Sequence, residues 1–261
     1  MRTDALDIAR FYRTPPGRAA RDMVQRRILA LWPDVDGLDM LGFGYAPPYL
    51  EPFRGRARRT IAFMPAAQGA VPWPAPGVGK GGLSMLGDEQ RFAFKEALFD
   101  RVILVHALEE AADPARLLRE VWRVMAPEGR LLVIAAHRTG LWSRADSTPF
   151  GHGRPFTRSQ LTGLLSDSLF EPIAWSRALF TPPWRFTCGP KTARAFESAG
   201  ERLWPAFGGL ILSEAVKHVG AVRAGGATQR VRRKALEGVT RPALSPRSDR
   251  TPHEDEQKGA P

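Results

Sequence analysis

His106 closes an unbroken aliphatic run, Val102-Ile103-Leu104-Val105, and is the first polar side chain after it. Ligands of parallel α/β sheets bind outside the carboxyl ends of the strands. An imidazole there can contact a ligand or take a proton from a substrate. A residue that hydrogen-bonds the start of the next helix is the equal alternative. Gly42-Phe43-Gly44-Tyr45-Ala46-Pro47 is a second chemical feature. Its glycines allow backbone angles that a Cβ hinders and let a ligand pack on the main chain; a plain tight turn would use them equally. The third glycine of the dinucleotide fingerprint is replaced by Pro47, which disfavours a nicotinamide or flavin dinucleotide. Asp88 and Glu89 are acceptor-only carboxylates suited to an amine or hydroxyl. Arg154 offers a two-pronged grip on a carboxylate or phosphate, and His152 stands beside it in a glycine-flanked loop. Trp142 and Phe150, in the same loop, are candidates to line an apolar pocket. The bland reading of that loop is a structured brace for the following helix.

These residues need a frame. Residues 101–105 and 131–135 read as strands buried on both faces, with a helix between them. Asp113 caps that helix, Pro114 suits its first position, and Leu117, Leu118, Val121, Val124 and Met125 form its apolar stripe. Pro127-Glu128-Gly129 reads as its stop. Strand–helix–strand with two buried strands implies a parallel, right-handed crossover. Upstream, residues 5–31 read as two helices broken at Thr14-Pro15-Pro16-Gly17, Leu38–Phe43 as the first strand, and Thr60–Met64 as the second. A short helix follows Pro47-Pro48, and residues 65–87 hold only brief regular structure. Residues 138–158 are a long loop, more in keeping with a functional lid or insertion than with a connector. Downstream come a helix from a Ser159 cap to Leu169, a strand Pro172–Phe180, a helix Ala193–Leu203 and a last strand Gly208–His218.

A chain of 261 residues can bury a full core. No apolar run reaches the ~20 residues of a membrane span, and the start of the chain lacks a signal-peptide core. A single cysteine, Cys188, excludes an internal disulfide framework and gives no metal cluster. A soluble cytoplasmic protein is the expectation. The net charge of +11 invites a nucleic-acid reading. Yet 32 of the 38 basic residues are arginine, a bias that GC-rich coding also produces, and residues 223–261 hold 9 basic and 5 acidic residues. Nucleic acid is therefore a possible but disfavoured partner. The expected organisation is N-terminal helices over 1–34, an α/β domain over 35–222 and a disordered basic tail over 223–261.

The stretch Phe99–Glu109, continued through Asp113-Pro114 to Ile134, resembles the middle of the class I S-adenosylmethionine-dependent methyltransferases, in particular a bacterial branch of their type 11 group. Quinone-biosynthesis and carrier-protein methyltransferases belong to that group. The resemblance spans roughly residues 35–136. It implies a Rossmann-like, seven-stranded, mostly parallel sheet with helices on both faces and a late antiparallel strand. It implies S-adenosyl-L-methionine as cofactor and a small or carrier-bound methyl acceptor, with no requirement for a particular catalytic residue. Carried onto this chain, Gly42, Gly44 and Ala46 form the cofactor turn. Asp88 accepts from the adenine amino group, beside Glu89, and His106 lies near the reacting methyl. Tyr12 lies on the helices that cover the site, and with His106 and His152 it is a catalytic candidate; Arg154 and Trp142 are the substrate-side candidates. Two departures stand out. The acids expected before the glycine turn and at the end of the second strand are Met40 and Met64. Asp39 cannot replace the first, since one step along a strand turns a side chain to the other face. Gln68 is the nearest polar residue for the ribose hydroxyls. A methyltransferase-like scaffold without cofactor affinity, or a basic RNA-associated enzyme, are the competing readings.

Overall fold

The computed structural model describes residues 2–75, 83–184 and 186–218, so the expected tail over 223–261 lies outside the described residues. Seven strands form one sheet: β1 (Asp39–Gly44), β2 (Arg59–Pro65), β3 (Ser84–Gly87), β4 (Phe99–Val105), β5 (Met125–Ala136), β6 (Phe170–Ala178) and β7 (Leu210–Lys217). Their order is β3-β2-β1-β4-β5-β7-β6. The strands β1 to β5 pair in parallel, and β7 is inserted antiparallel to both β5 and β6. The expected fold and late hairpin are therefore present.

Period-2 alternation divides the core between two faces. Met40, Ile103, Val105, Leu132 and Ile134 point into one layer with α1 (Ala5–Arg13), α2 (Pro15–Leu31) and the one-turn α3 (Pro47–Leu50). Leu41, Phe43, Val102, Leu104 and Val133 point into the other, with α4 (Pro114–Val124) and α5 (Arg158–Asp167). The N-terminal helices share a core with the sheet: Ile8, Phe11, Met23, Val24 and Ile28 lie in the same cluster as Met40 and Ile103. Asp39 sits at the amino end of β1, where Arg58 donates to both its oxygens at 3.0 and 2.6 Å, and that pairing holds its carboxyl below the usual range.

Several local expectations are corrected. The break between α1 and α2 shrinks to Thr14, whose hydroxyl accepts from the Gly17 amide at 3.2 Å; Pro15 and Pro16 begin α2, where a missing N–H costs nothing. Pro127-Glu128-Gly129 does not separate helix from strand. Strand β5 begins at Met125, directly after α4, and these residues form an irregularity between the pairs Phe99–Met125 and Arg101–Arg130, with Glu128 at φ 59°. Thr157, not Ser159, caps α5: its side chain accepts from the Gln160 amide while the Gln160 side chain accepts from the Thr157 amide. Helix α6 (Pro190–Leu203) starts three residues earlier than expected, and strand β7 starts at Leu210.

Candidate functional site

The carboxyl ends of β1, β2, β3, β4 and β5 lie along one edge of the sheet, and most of the sequence candidates gather there. Two regions of that edge differ in construction. On the β1–β4 side, Gly42, Phe43, Gly44, Tyr45 and Ala46 are all buried. Gly44 is left-handed (φ 84°), and a Cβ on it would stand 2.1 Å from the Val105 carbonyl oxygen; the Tyr45 amide donates to that oxygen at 2.9 Å. A Cβ on Gly42 would meet the Ala46 Cβ at 2.4 Å. Both glycines therefore admit the chain's own neighbours: Gly44 brings β1 against β4, and Gly42 seats α3.

His106 follows β4 in the left-handed region (φ 50°), uncommon outside glycine. Its Nε2 shares a proton with the Tyr12 hydroxyl at 2.9 Å, and Tyr12 is linked in turn to the Tyr49 hydroxyl at 3.0 Å. The Tyr12 ring stacks on Tyr45, and Phe150 lies 4.5 Å from the His106 ring. Burial, and then the nearby His152, pulls the His106 imidazole down to about 3. The ring is therefore neutral at every ordinary pH. Burial also pushes the Tyr12 hydroxyl well up. Next along the chain, Glu109 is buried; its Oε1 accepts from the Ala136 amide at 2.8 Å, while its Oε2 has no partner among the described residues. Burial raises the Glu109 carboxyl above its ordinary range.

The N-terminal segment seals this region. The buried Arg2 guanidinium donates to the Ala107 carbonyl at 3.1 Å and to the Glu89 carboxylate, with Nε 2.8 Å from Oε2. The Thr3 amide donates to Glu110 at 2.7 Å, and its hydroxyl lies 2.9 Å from His152 Nδ1. His152 Nε2 lies 3.0 Å from the Asp146 carbonyl.

On the β2–β3 side the edge is open. A cleft of about 420 Å³ runs between Pro65-Ala66-Ala67, at the end of β2, and Gly87–Gln90, at the end of β3. Asp88 stands exposed on its rim, its Oδ1 accepting from the Gln90 amide at 2.8 Å. Gln68 is buried just beyond the cleft's first wall, and both atoms of its amide lack a partner among the described residues.

The structure thus brings together Tyr12, His106, Gly42, Gly44 and Ala46, and sets Asp88 and Glu89 beside the cleft. Arg154 is exposed and its backbone amide donates to the Glu109 carbonyl at 2.8 Å. Trp142 is buried, its Nε1 donating to the Thr181 carbonyl at 2.7 Å, so it presents no polar atom to a ligand. Sequence reasoning missed Arg2, Tyr49 and Glu110. None carries a local signal, because their partners are brought near only by folding. No group of three or more potential metal ligands occurs among the described residues, and no helix among them is long and apolar enough to cross a membrane.

A family model described as a methyltransferase domain matches residues 74–133. That span holds Asp88, Glu89 and His106 but not the glycine turn. Among solved structures, an S-adenosylmethionine-dependent methyltransferase from Thermotoga maritima, described as a possible histamine N-methyltransferase, is similar at 16% identity and a TM-score of 0.56. The match covers 80% of this chain and 94% of that one. A putative methyltransferase of Haloferax volcanii, solved with the Trm112 activator, matches at 16% identity and a TM-score of 0.55, over 77% and 91% of the two chains. An S-adenosylmethionine-dependent methyltransferase from Mesorhizobium loti matches at 16% identity and 0.52, over 74% and 95%. Among curated proteins, none matches the chain. The matched segment is similar to a methyltransferase domain, and the whole described sheet shares the fold of S-adenosylmethionine-dependent methyltransferases.

Proposed function

We propose that this protein transfers a methyl group from S-adenosylmethionine to a small or carrier-bound acceptor. The observation that carries the reading is the open cleft at the carboxyl ends of β2 and β3, rimmed by Asp88 inside the matched segment. The residues present fit the adenosine end of the cofactor. Asp88 offers an exposed acceptor for the adenine amino group, and Gln68 offers an unpartnered amide where the ribose-binding acid of the family is replaced by Met64. Bound S-adenosylmethionine supplies an activated methyl on a sulfonium, so the protein's task is chiefly alignment.

The chain's own residues support that task. His106, held neutral, keeps one ring nitrogen as donor and one as acceptor, and its Nε2 is oriented by the Tyr12–Tyr49 pair. The stacked rings of Tyr12 and Tyr45, with Phe150 against the His106 ring, exclude water from that end of the edge. Glu109 Oε2 is a buried acceptor whose raised carboxyl suits proton removal from a weak nucleophile. Arg154, exposed at the mouth of the loop, can grip an anionic acceptor.

One observation favours a second reading, a scaffold without cofactor affinity: Arg2 occupies the Ala107 carbonyl beside a fully buried glycine turn. Calorimetric titration with S-adenosylmethionine and S-adenosylhomocysteine separates the two. Micromolar binding, weakened roughly 10-fold by Asp88→Ala, about the worth of one charge-assisted hydrogen bond, supports methyl transfer. No heat from a folded, cofactor-free sample supports the scaffold.

A further inference from the structure

Most of the strongly exposed aromatic surface among the described residues lies in one segment, residues 179–209. Trp184, Phe186, Trp204 and Phe207 are 53, 79, 56 and 60% exposed, and Trp184 and Phe186 stack on each other. Helix α6 lies within this segment. It buries Ala193, Glu197 and Gly200 and turns Phe196, Ala199 and Leu203 outward, three positions at helical spacing on its free side. Isolated exposed apolar residues need no explanation, but a concentration of large ones marks an interaction surface.

The charge around these side chains that is not committed to an ion pair is basic. Lys191, Arg194 and Arg202 are exposed on α6 and form no hydrogen bond or ion pair among the described residues. Arg18 and Arg26 of α2 face Arg194 across a groove of about 520 Å³ floored by Met23, Cys188 and Ala193. The carboxylates nearby are committed: Glu197 and Glu201 to Arg27, and Asp22 to Arg21. A second copy of this chain would bring like charge against like. The basic segment 223–261, with 9 basic and 5 acidic residues, would do the same. The arrangement suits an anionic partner that accepts protruding rings rather than one with a matching concave surface.

We infer that the outer face of α6, with the α2–α6 groove, docks on an anionic lipid bilayer. Tryptophan and phenylalanine enter the headgroup–acyl boundary, where amphipathic rings are favoured, and the arginines hold lipid phosphates. Ala178 ends β6 and Leu210 begins β7 in the same row as Ala136, at the end of β5, so the docking segment hangs from the edge that carries His106 and Glu109. Docking there would hold that edge close to the membrane surface. The inference does not depend on methyl transfer.

The test is co-sedimentation of the full chain with vesicles of phosphatidylcholine alone and with phosphatidylglycerol added. The expected result is pelleting with the anionic vesicles only, weakened by salt, with a blue shift of tryptophan emission. Arg18→Glu/Arg26→Glu/Arg194→Glu and, separately, Trp184→Ala/Trp204→Ala/Phe207→Ala should each lower partitioning by about 10-fold or more. Circular dichroism melts check that each variant folds; the arginine set is exposed and carries the test if the aromatic set does not fold. Equal binding by the arginine variant, which would assign the effect to residues 223–261, overturns the inference. So does failure to bind any vesicle. Concentration-dependent self-association abolished by Trp204→Ala, without vesicle binding, overturns it in favour of a dimer interface.

Discussion

The two halves of the sheet's carboxyl edge are built from opposite materials. After β2 and β3 the chain is small and open: Ala66, Ala67 and Gly87 line a cleft, and Asp88 faces solvent. After β1 and β4 it is aromatic and closed, with Tyr12, Tyr45, Tyr49, Phe150 and His106 packed together under the Arg2 guanidinium. The matched family segment takes in Gly87–Gln90 of the open half and His106 of the closed half, but neither Pro65–Ala67 nor the glycine turn. A shared fold thus determines which edge can hold a ligand, while side chains from outside the sheet decide how much of that edge is accessible.

The comparison can be broken most forcefully at Gly44. A Cβ there clashes with the Val105 carbonyl in a left-handed backbone, so Gly44→Ala should cost about 3 kcal/mol or more. Gly55→Ala, equally left-handed but with nothing near, should cost only about 1 kcal/mol, and paired denaturant melts would show the gap. Equal losses would mean that backbone strain alone, not the β1–β4 approach, closes this half.

His106 predicts a pH dependence. Its folded value of about 3 lies below its unfolded value near 6.5. The unfolded chain therefore binds the extra proton in this window. Stability is intact above pH 6.5 and falls toward pH 3, by up to about 1.4 kcal/mol per unit. Glu109, with a raised carboxyl, works in the opposite direction. The decisive readout is the difference from His106→Gln, which should flatten this part of the slope in urea melts from pH 4 to 7. An unchanged slope would show that other groups dominate.

A smaller effect tests the open half. Asp88→Ala should weaken S-adenosylmethionine binding roughly 10-fold while leaving the melting temperature unchanged, because the carboxylate is exposed. The smallest concerns the seal itself. If Arg2 restricts entry between the halves, Arg2→Ala should raise cofactor affinity a few-fold in calorimetry, by removing a closed state from competition. Weaker binding in that variant would make Arg2 part of the ligand site instead.

The strands of the sheet's centre are legible because β4 and β5 are buried on both faces and therefore read as continuous apolar runs. Four-residue β3 carries no such run, and its neighbours are rich in Pro, Gly and Ala. Glu128 misleads because Pro-Glu-Gly has the composition of a helix stop, although pairing with β4 carries these residues within β5. For the site, His106 is legible as the first polar residue after a buried strand. Trp142 is not: its type suits a pocket wall, but the Thr181 carbonyl 39 positions away takes its only donor.

The sequence by itself determined the α/β class, the sheet edge expected to receive a ligand, and the family resemblance carried by residues 99–134. The parallel strand–helix–strand unit follows from periodicity and short-range spacing, which are local properties of a chain; the seven-stranded order came only with the resemblance. Only the tertiary structure decided which half of that edge stays open. Arg2 meets Glu89 across 87 positions, and Tyr12 meets His106 across 94. Such pairs depend on how the N-terminal helices dock on the sheet, and no local pattern encodes a contact whose partner is placed by the packing of other elements.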